Sequence, residues 1–350
     1  RVIARLDRPP DWTRRDNTYK TAPPDNLADF GDFVYAVVNR YKGKIQHYQI
    51  WNEPNIWPEW GDRPTDPDGY AELLKVAYQR AKAADPNALI LSAPLAQTLE
   101  TGPRNLNELD YLEAMYRAGA RDYFDIIMAN AYGFDRPPPD PPHPQVLNFN
   151  RVQLLREAMV KNGDGSKGVW LNEFGWNAAP ADFPPEKLFW RRVEETQQAA
   201  YTAEAISMAR TWGWLGVINI WYFRQVGDIL PNQADYYFRV VDTDFTPRLV
   251  YYRLQELAQS FHWAGPDLHQ ETSPALSLTG NWQFRINPLA SGNGAAASSS
   301  PGDEAIFSFV GTGVSLQHNG GRGRLYVELD GRGAGLKQRD DGGSFVELGP

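Results

Sequence analysis

Two glutamates follow asparagines at the ends of apolar, aromatic runs: Ile50-Trp51-Asn52-Glu53-Pro54-Asn55 and Trp170-Leu171-Asn172-Glu173-Phe174-Gly175-Trp176. As a pair, Glu53 and Glu173 point to acetal cleavage. Breaking a glycosidic bond at neutral pH takes one protonated carboxylic acid at the leaving oxygen and one ionised carboxylate beside the anomeric carbon. A lone Asn-Glu dipeptide means little in a chain with 43 acidic residues. Two of them, each in a tryptophan-rich context and each closing a strand-like run, imply a shared site. They stand 120 residues apart, so the fold must bring them together.

The elements that would do so are legible as alternating short and long segments. Strand-like runs read at Val2 to Leu6, Ile45 to Trp51, Ala88 to Ala93, Phe124 to Ala131, Gly168 to Asn172 and Gly216 to Trp221. Between them, apolar residues recur at helical spacing: Phe30, Val34, Val37, Val38 and Tyr41, then Tyr70, Leu73, Leu74, Ala77 and Ala81, then Leu109, Leu112, Met115 and Tyr116. Further helices are expected over Arg151 to Lys161, Glu186 to Thr211 and Arg248 to Ser260. Six βα units around a parallel sheet follow. The two glutamates close the second and fifth strands, and the Pro-rich run Asp135 to Pro144 would form part of a cleft rim.

After Trp263 the texture changes. Leu276 to Leu278, Phe284 to Ile286, Ala305 to Val310, Val314 to Gln317, Leu325 to Leu329 and Phe345 to Leu348 are short, alternating and Gly-punctuated. They predict an antiparallel β-sandwich or jelly roll over 265–350, with Ser291 to Gly302 as a flexible loop, following a catalytic domain over 1–264. Rings such as Trp282 or Tyr326 could give that second domain a carbohydrate-binding face; buttressing of the first domain is the plainer role.

Bulk composition narrows the partners. A net charge of -8 without a basic cluster argues against nucleic acid and anionic membranes, and no apolar run approaches the ~18 residues of a membrane span. Zero cysteines removes thiolate nucleophiles, disulfides and Cys-ligated zinc, and leaves the redox compartment open; a secreted location is favoured. The five histidines show no metal spacing, so neither a metal nor a cofactor is expected. Twelve Trp and 17 Tyr exceed ordinary packing needs, and flat rings suit a neutral carbohydrate partner. Oligomeric state is not legible.

The motif contexts resemble clan A glycoside hydrolases, retaining (β/α)8 enzymes whose acid/base ends strand four in Asn-Glu-Pro and whose nucleophile ends strand seven in Glu-Phe-Gly or a similar motif. Within the clan, Ile50 to Asn55 and Val169 to Asn177 are most like family 39, the β-xylosidase and iduronidase group, and loosely like the cellulase family. The resemblance covers Val2 to about Ser260. It implies Glu53 as acid/base, Glu173 as nucleophile, Asn52 bonded to the sugar 2-hydroxyl, Tyr132 orienting the nucleophile and Trp221 as an aromatic floor. Trp57, Trp60, Trp176 and Phe223 follow other strands and are candidates to line the cleft, Trp176 above all, as are Arg5, Asp7 and Arg8.

The resemblance also implies eight strands where six are legible. The expectation is therefore a (β/α)8 TIM barrel lacking its first two βα units, and lacking with them the arginine that clan members place near the nucleophile. The function implied is a retaining β-glycosidase acting on oligo- or polysaccharides by double displacement. The rival is a non-catalytic carbohydrate-binding protein or an inactive fragment of a glycoside hydrolase.

Overall fold

Each of the six strand-like runs forms a strand in the computed structural model: β1 (Ile3–Leu6), β2 (His47–Ile50), β3 (Leu89–Leu91), β4 (Ile126–Tyr132), β5 (Gly168–Gly175) and β6 (Leu215–Ile220). The structure describes residues 2–15, 19–227 and 230–260, and beyond these 269, 273, 275–286, 294–309, 323–326, 328–329, 332–333, 337–338 and 344–348. The six strands are parallel and neighbours in chain order, β1 to β6. Such an order needs a crossover on one face between every pair. Five helices supply it, α1 (Leu27–Tyr41), α2 (Pro67–Ala84), α3 (Glu108–Arg117), α4 (Val152–Lys161) and α5 (Glu195–Ala209), and α6 (Leu249–Ser260) follows β6.

Local chemistry sets the helix starts. Asn26, Asp66 and Asn107 cap α1, α2 and α3 by accepting the backbone N–H of Ala28, Gly69 and Leu109, and Pro67 opens α2 where no N–H is needed. α5 begins nine residues later than its apolar pattern predicts. The chain after Pro184 forms only a short 3-10 turn, Pro185–Lys187, and a capping box between Glu194 and Gln197 fixes the true start.

Outward-facing strand residues and inward-facing helix residues make one core. Ile50, Ile90, Ile127, Ala129, Val169 and Leu171 meet Val34, Val38, Leu73, Leu74, Leu112, Leu155 and Met159, all buried. The opposite, concave face carries buried polar groups, His47, Gln49 and Asn130, beside buried Leu91 and Met128. The sheet curls strongly enough that His47 of β2 and Trp170 of β5 have ring centroids 4.9 Å apart, although two strands separate them in the sheet. This is an α/β fold with a curled parallel half-barrel, consistent with part of a (β/α)8 barrel. Among the described residues β1 and β6 do not pair with each other, and β6 stays partly exposed along its length where β4 is almost wholly buried.

The chain forms two compact units, Arg1–Glu256 and Leu257–Pro350; the boundary expected after residue 264 lies outside the described residues. In the second unit, β7 (Leu276–Thr279) pairs antiparallel with β10 (Glu304–Phe307), and β8 (Gln283–Ile286) with β9 (Gly294–Ala297). Gly323–Tyr326 pairs with Ser344–Leu348. The antiparallel texture thus holds, but among the described residues the ladders remain separate two- and three-stranded pieces. The expected loop at Ser291 to Gly302 contains β9, because the small residues Gly294–Ala297 fit a strand that pairs along its whole length with β8. The strand expected at Val314 to Gln317 lies outside the described residues. Among those described, no helix is long and apolar enough to cross a membrane.

Candidate active site

The loop after β2 begins with a sharp left-handed turn. Trp51 has φ +73° and Glu53 φ +41°, values that cost L-residues on the order of 1–3 kcal/mol each unless the surroundings hold them. They are held. Trp51 is buried edge-on to Phe30 and Trp60, and the Glu53 N–H donates to Pro94 O at 3.0 Å. Asn55, fully buried, accepts from the Ala96 N–H and donates to the carbonyls of Ala96 and Leu106. The turn lifts the Glu53 carboxylate off the strand toward the concave face.

Glu173 reaches that face by another device. Along β5, Val169 and Leu171 point to the helices, so simple alternation would send Glu173 the same way and bury a carboxylate among apolar side chains. The register against both neighbours shifts by one residue instead: Ala129 pairs with Leu171 but Asn130 with Glu173, and Leu171 pairs with Ile218 but Phe174 with Ile220. This bulge inserts one extra residue into β5 and reverses its phase, so that Phe174 rejoins the helix-side core while Glu173 turns inward. Glu173 thus lies within β5, not at its end as the sequence pattern suggests.

The two carboxylates meet at Asn130. Its Nδ2 donates to Glu53 Oε1 at 2.6 Å and lies 3.4 Å from Glu173 Oε2, which confines the two oxygens to within about 6 Å of each other. Tyr132, two residues along β4 on the same face, donates its hydroxyl to Glu173 Oε2 at 2.7 Å. Asn172 Nδ2 donates to Glu173 Oε1 at 3.2 Å. Glu173 is 8% exposed and Glu53 half-buried.

This crowding separates the acidities. Burial, then the charge of Glu173 and that of Glu59, push Glu53 up to about 8, against the Asn130 hydrogen bond and Arg5. Burial likewise raises Glu173, but the Tyr132 hydrogen bond and the Arg5 charge pull it back to about 6, with Glu59 and Asp235 pushing upward. Glu53 is therefore the stronger proton holder of the pair and Glu173 the more readily ionised. Arg5, on β1 and paired with Asp7 at 3.1 Å, acts on both. The clan arginine expected on the missing strands is a different residue; within this chain, β1 brings the Arg5 charge to bear on Glu173.

The remaining sequence candidates fall into different places. Asn52 is buried beside Glu53 and hydrogen-bonds to Glu59, with its Oδ1 unpartnered. Trp221, just after β6, sits in an aromatic cluster with Tyr132, Phe134, Phe238 and Trp190, and its indole N–H is buried without a partner. Trp176 sits elsewhere. It is 1% exposed, packs against Phe149, Phe174 and Tyr201, and donates to Arg136 O at 2.7 Å. A Cβ on Gly133 would fall 1.8 Å from its ring, so Gly133 must stay bare for Trp176 to fit. Trp60 is buried, Phe223 exposed, and Trp57 40% exposed.

Asn130 is the participant that the motif reading missed. Its signal was a polar side chain in the otherwise apolar run Ile126-Ile127-Met128-Ala129-Asn130-Ala131-Tyr132, at a strand position that shares a face with Tyr132.

No family model and no curated protein matches this chain. Solved structures do match its fold. A family 39 glycoside hydrolase from the gut symbiont Bacteroides cellulosilyticus aligns with TM-score 0.52 and 18% identity over 95% of this chain and 63% of its own. A monomeric β-xylosidase from Caulobacter crescentus aligns with TM-score 0.51 and 16% identity over 73% of this chain and 52% of its own. A glucosidase from Croceicoccus marinus gives TM-score 0.50 and 18% identity, covering 68% and 48%. The chain thus spans between about half and under two thirds of the length of these structures. At such identities the likeness is one of fold, and the proteins that share it are glycoside hydrolases.

Proposed function

We propose that the chain is a retaining β-glycosidase in which Glu173 is the nucleophile and Glu53 the general acid/base. The observation that carries this reading is the single amide of Asn130 reaching both carboxylates. It keeps their oxygens within about 6 Å, close to the ~5–5.5 Å of retaining sites and short of the ~6.5–9.5 Å that makes room for an inverting water. The fold shared with a family 39 enzyme and a β-xylosidase supports the same reading.

In the first half-reaction, ionised Glu173 attacks the anomeric carbon as the C–O bond to the leaving group breaks, and the Glu53 proton passes to the departing oxygen. A covalent glycosyl-Glu173 ester results. With the ester formed, the negative charge that had raised Glu53 is gone, so Glu53 becomes easier to ionise just when it must act as a base. Water then gives its proton to Glu53 and its oxygen to the anomeric carbon, freeing Glu173. Asn52 bonds the sugar 2-hydroxyl and Trp221 floors the ring in this reading. The substrate is an oligo- or polysaccharide with β-linked sugars.

Nucleophile rescue tests the roles. With activated aryl β-glycosides, Glu173→Ala should lower kcat about 10⁴-fold or more, some 5–6 kcal/mol of barrier, and azide should restore turnover with a product of inverted configuration. Glu53→Ala should spare the first step for good leaving groups and give a glycosyl azide of retained configuration. Exchanged outcomes would reverse the roles. Binding of oligosaccharide by calorimetry without any hydrolysis would favour the carbohydrate-binding rival.

A further inference from the structure

Trp57 follows Glu53 by four residues and is held more firmly than an exposed ring needs to be. Its backbone N–H donates to Asn105 Oδ1 at 2.7 Å and its indole N–H to Asp62 Oδ1 at 3.2 Å. The Arg104 guanidinium stands 5.5 Å from the ring centroid and is itself paired with Asp62 at 2.6 Å. Tyr19 packs against it at 5.5 Å with the planes at 75°. Asn105 is fixed in turn by Glu100 at 2.9 Å. Yet 40% of Trp57 remains open, unlike Trp51 and Trp60 of the same loop, which are buried.

Fixing a large ring at the surface costs side-chain entropy without the burial that would offset it. That expense is intelligible when the ring is preorganised for a ligand. Glu53 faces the leaving oxygen, so the residues of its own loop border the leaving-group side of the cleavage point. Four residues of chain reach at most about 14 Å, and the Ile56 N–H to Glu53 O hydrogen bond folds the segment back from that limit. An aromatic face bordered by a guanidinium and a carboxylate suits a sugar ring, whose C–H face stacks while its hydroxyls bond at the edge.

We propose that Trp57, with Arg104 and Asp62 at its border, forms a subsite for the sugar on the leaving-group side of the scissile bond. This rests on the glycosidase reading and narrows its substrate to chains whose leaving group is itself a sugar. Trp57 is then a specificity determinant and touches no reacting atom.

The test compares Trp57→Ala with the unaltered protein on two substrates that share the glycone: a β-linked oligosaccharide and the corresponding glycosyl fluoride, whose leaving group is too small to reach the ring. The expected result is a loss of about tenfold or more in kcat/KM on the oligosaccharide, with the fluoride changed less than twofold. The variant should also lose transfer of the glycosyl group to added sugar acceptors, because they occupy the same subsite. Equal losses on both substrates, or none on the oligosaccharide, overturn the proposal. If neither protein hydrolyses the fluoride, the glycosidase reading fails by itself. Calorimetric titration with the oligosaccharide then decides the subsite: weaker binding by the variant upholds it, and equal binding or no binding by either protein overturns it.

Discussion

Asn130 Nδ2 lies 2.6 Å from Glu53 Oε1, the contact that joins the middle of β4 to the loop after β2. An amide N–H stabilises the ionised form of the carboxylate it touches, and here it opposes burial and two neighbouring negative charges. Asn130→Ala should therefore raise the Glu53 pKa and move the alkaline limb of the kcat/KM profile to higher pH. It should also lower kcat/KM about 10- to 100-fold, since a hydrogen bond to a charged group is worth about 1.5–3 kcal/mol. A pH profile with an unmoved alkaline limb would show that Asn130 does not govern Glu53.

Tyr132 affects the other limb. Its hydroxyl, 2.7 Å from Glu173 Oε2, is the main influence pulling the Glu173 pKa down. Tyr132→Phe keeps the ring in its cluster with Phe238 and Trp190 but removes the donor. In the proposed mechanism Glu173 must be ionised to attack, so a higher pKa moves the acid limb upward and leaves less ionised Glu173 at pH 6. Steady-state profiles from pH 4 to 9 should show this, with a loss at pH 6 larger than that at pH 8.

The sequence made the fold and the glutamates legible because both depend on local signals: apolar periodicity for the βα units, and two motifs for the carboxylates. What it concealed depends on register and on distance. The bulge that turns Glu173 inward is one extra residue, Asn172, whose presence is defined only against the partner strands. Arg5, Glu59 and Asp235 influence the pair from three separate segments, and no spacing rule connects them. Trp176 was drawn toward the cleft by its place in the motif, yet the same bulge that re-aims Glu173 puts Phe174 on the helix side, and Trp176 packs against it there.

The raised carboxyls also shape stability. Glu53 and Glu173 are harder to ionise in the folded chain than in the unfolded one, where carboxyls titrate near 4.5, so the folded state holds more protons from there up to about 8. Their contribution is fully present below the ordinary carboxylate range and is lost as pH rises through about 6 and then about 8. Glu53→Gln removes the larger of these losses. It should raise Tm by a few degrees at pH 8 and have little effect at pH 4, as thermal unfolding at the two pH values will show. Destabilisation at pH 8 would mean that the Glu53 charge is better compensated than its surroundings indicate.

The Pro-rich segment between β4 and α4 is anchored by the buried amides of Asn148 and Asn150 and by one buried ion pair. Arg151 directs Nε to Glu108 of α3 and its NH1 group to the carbonyls of His143 at 3.0 Å and Pro144 at 2.6 Å, with both charged side chains almost inaccessible. Burial pushes Glu108 up, and the Arg151 charge is what opposes it. Removing one member strands the other, at a cost of about 3–5 kcal/mol. Glu108→Gln should accordingly lower Tm by on the order of 10 °C. The double change Glu108→Leu with Arg151→Met removes both charges and should recover much of that loss, because well-packed apolar pairs replace buried ion pairs at little net cost. It does not restore the carbonyl contacts, so limited proteolysis should cut between Asp135 and Leu147 faster in the double variant than in the unaltered chain even where their Tm values agree. Additive losses in the double variant would show that the two side chains do not act as a pair.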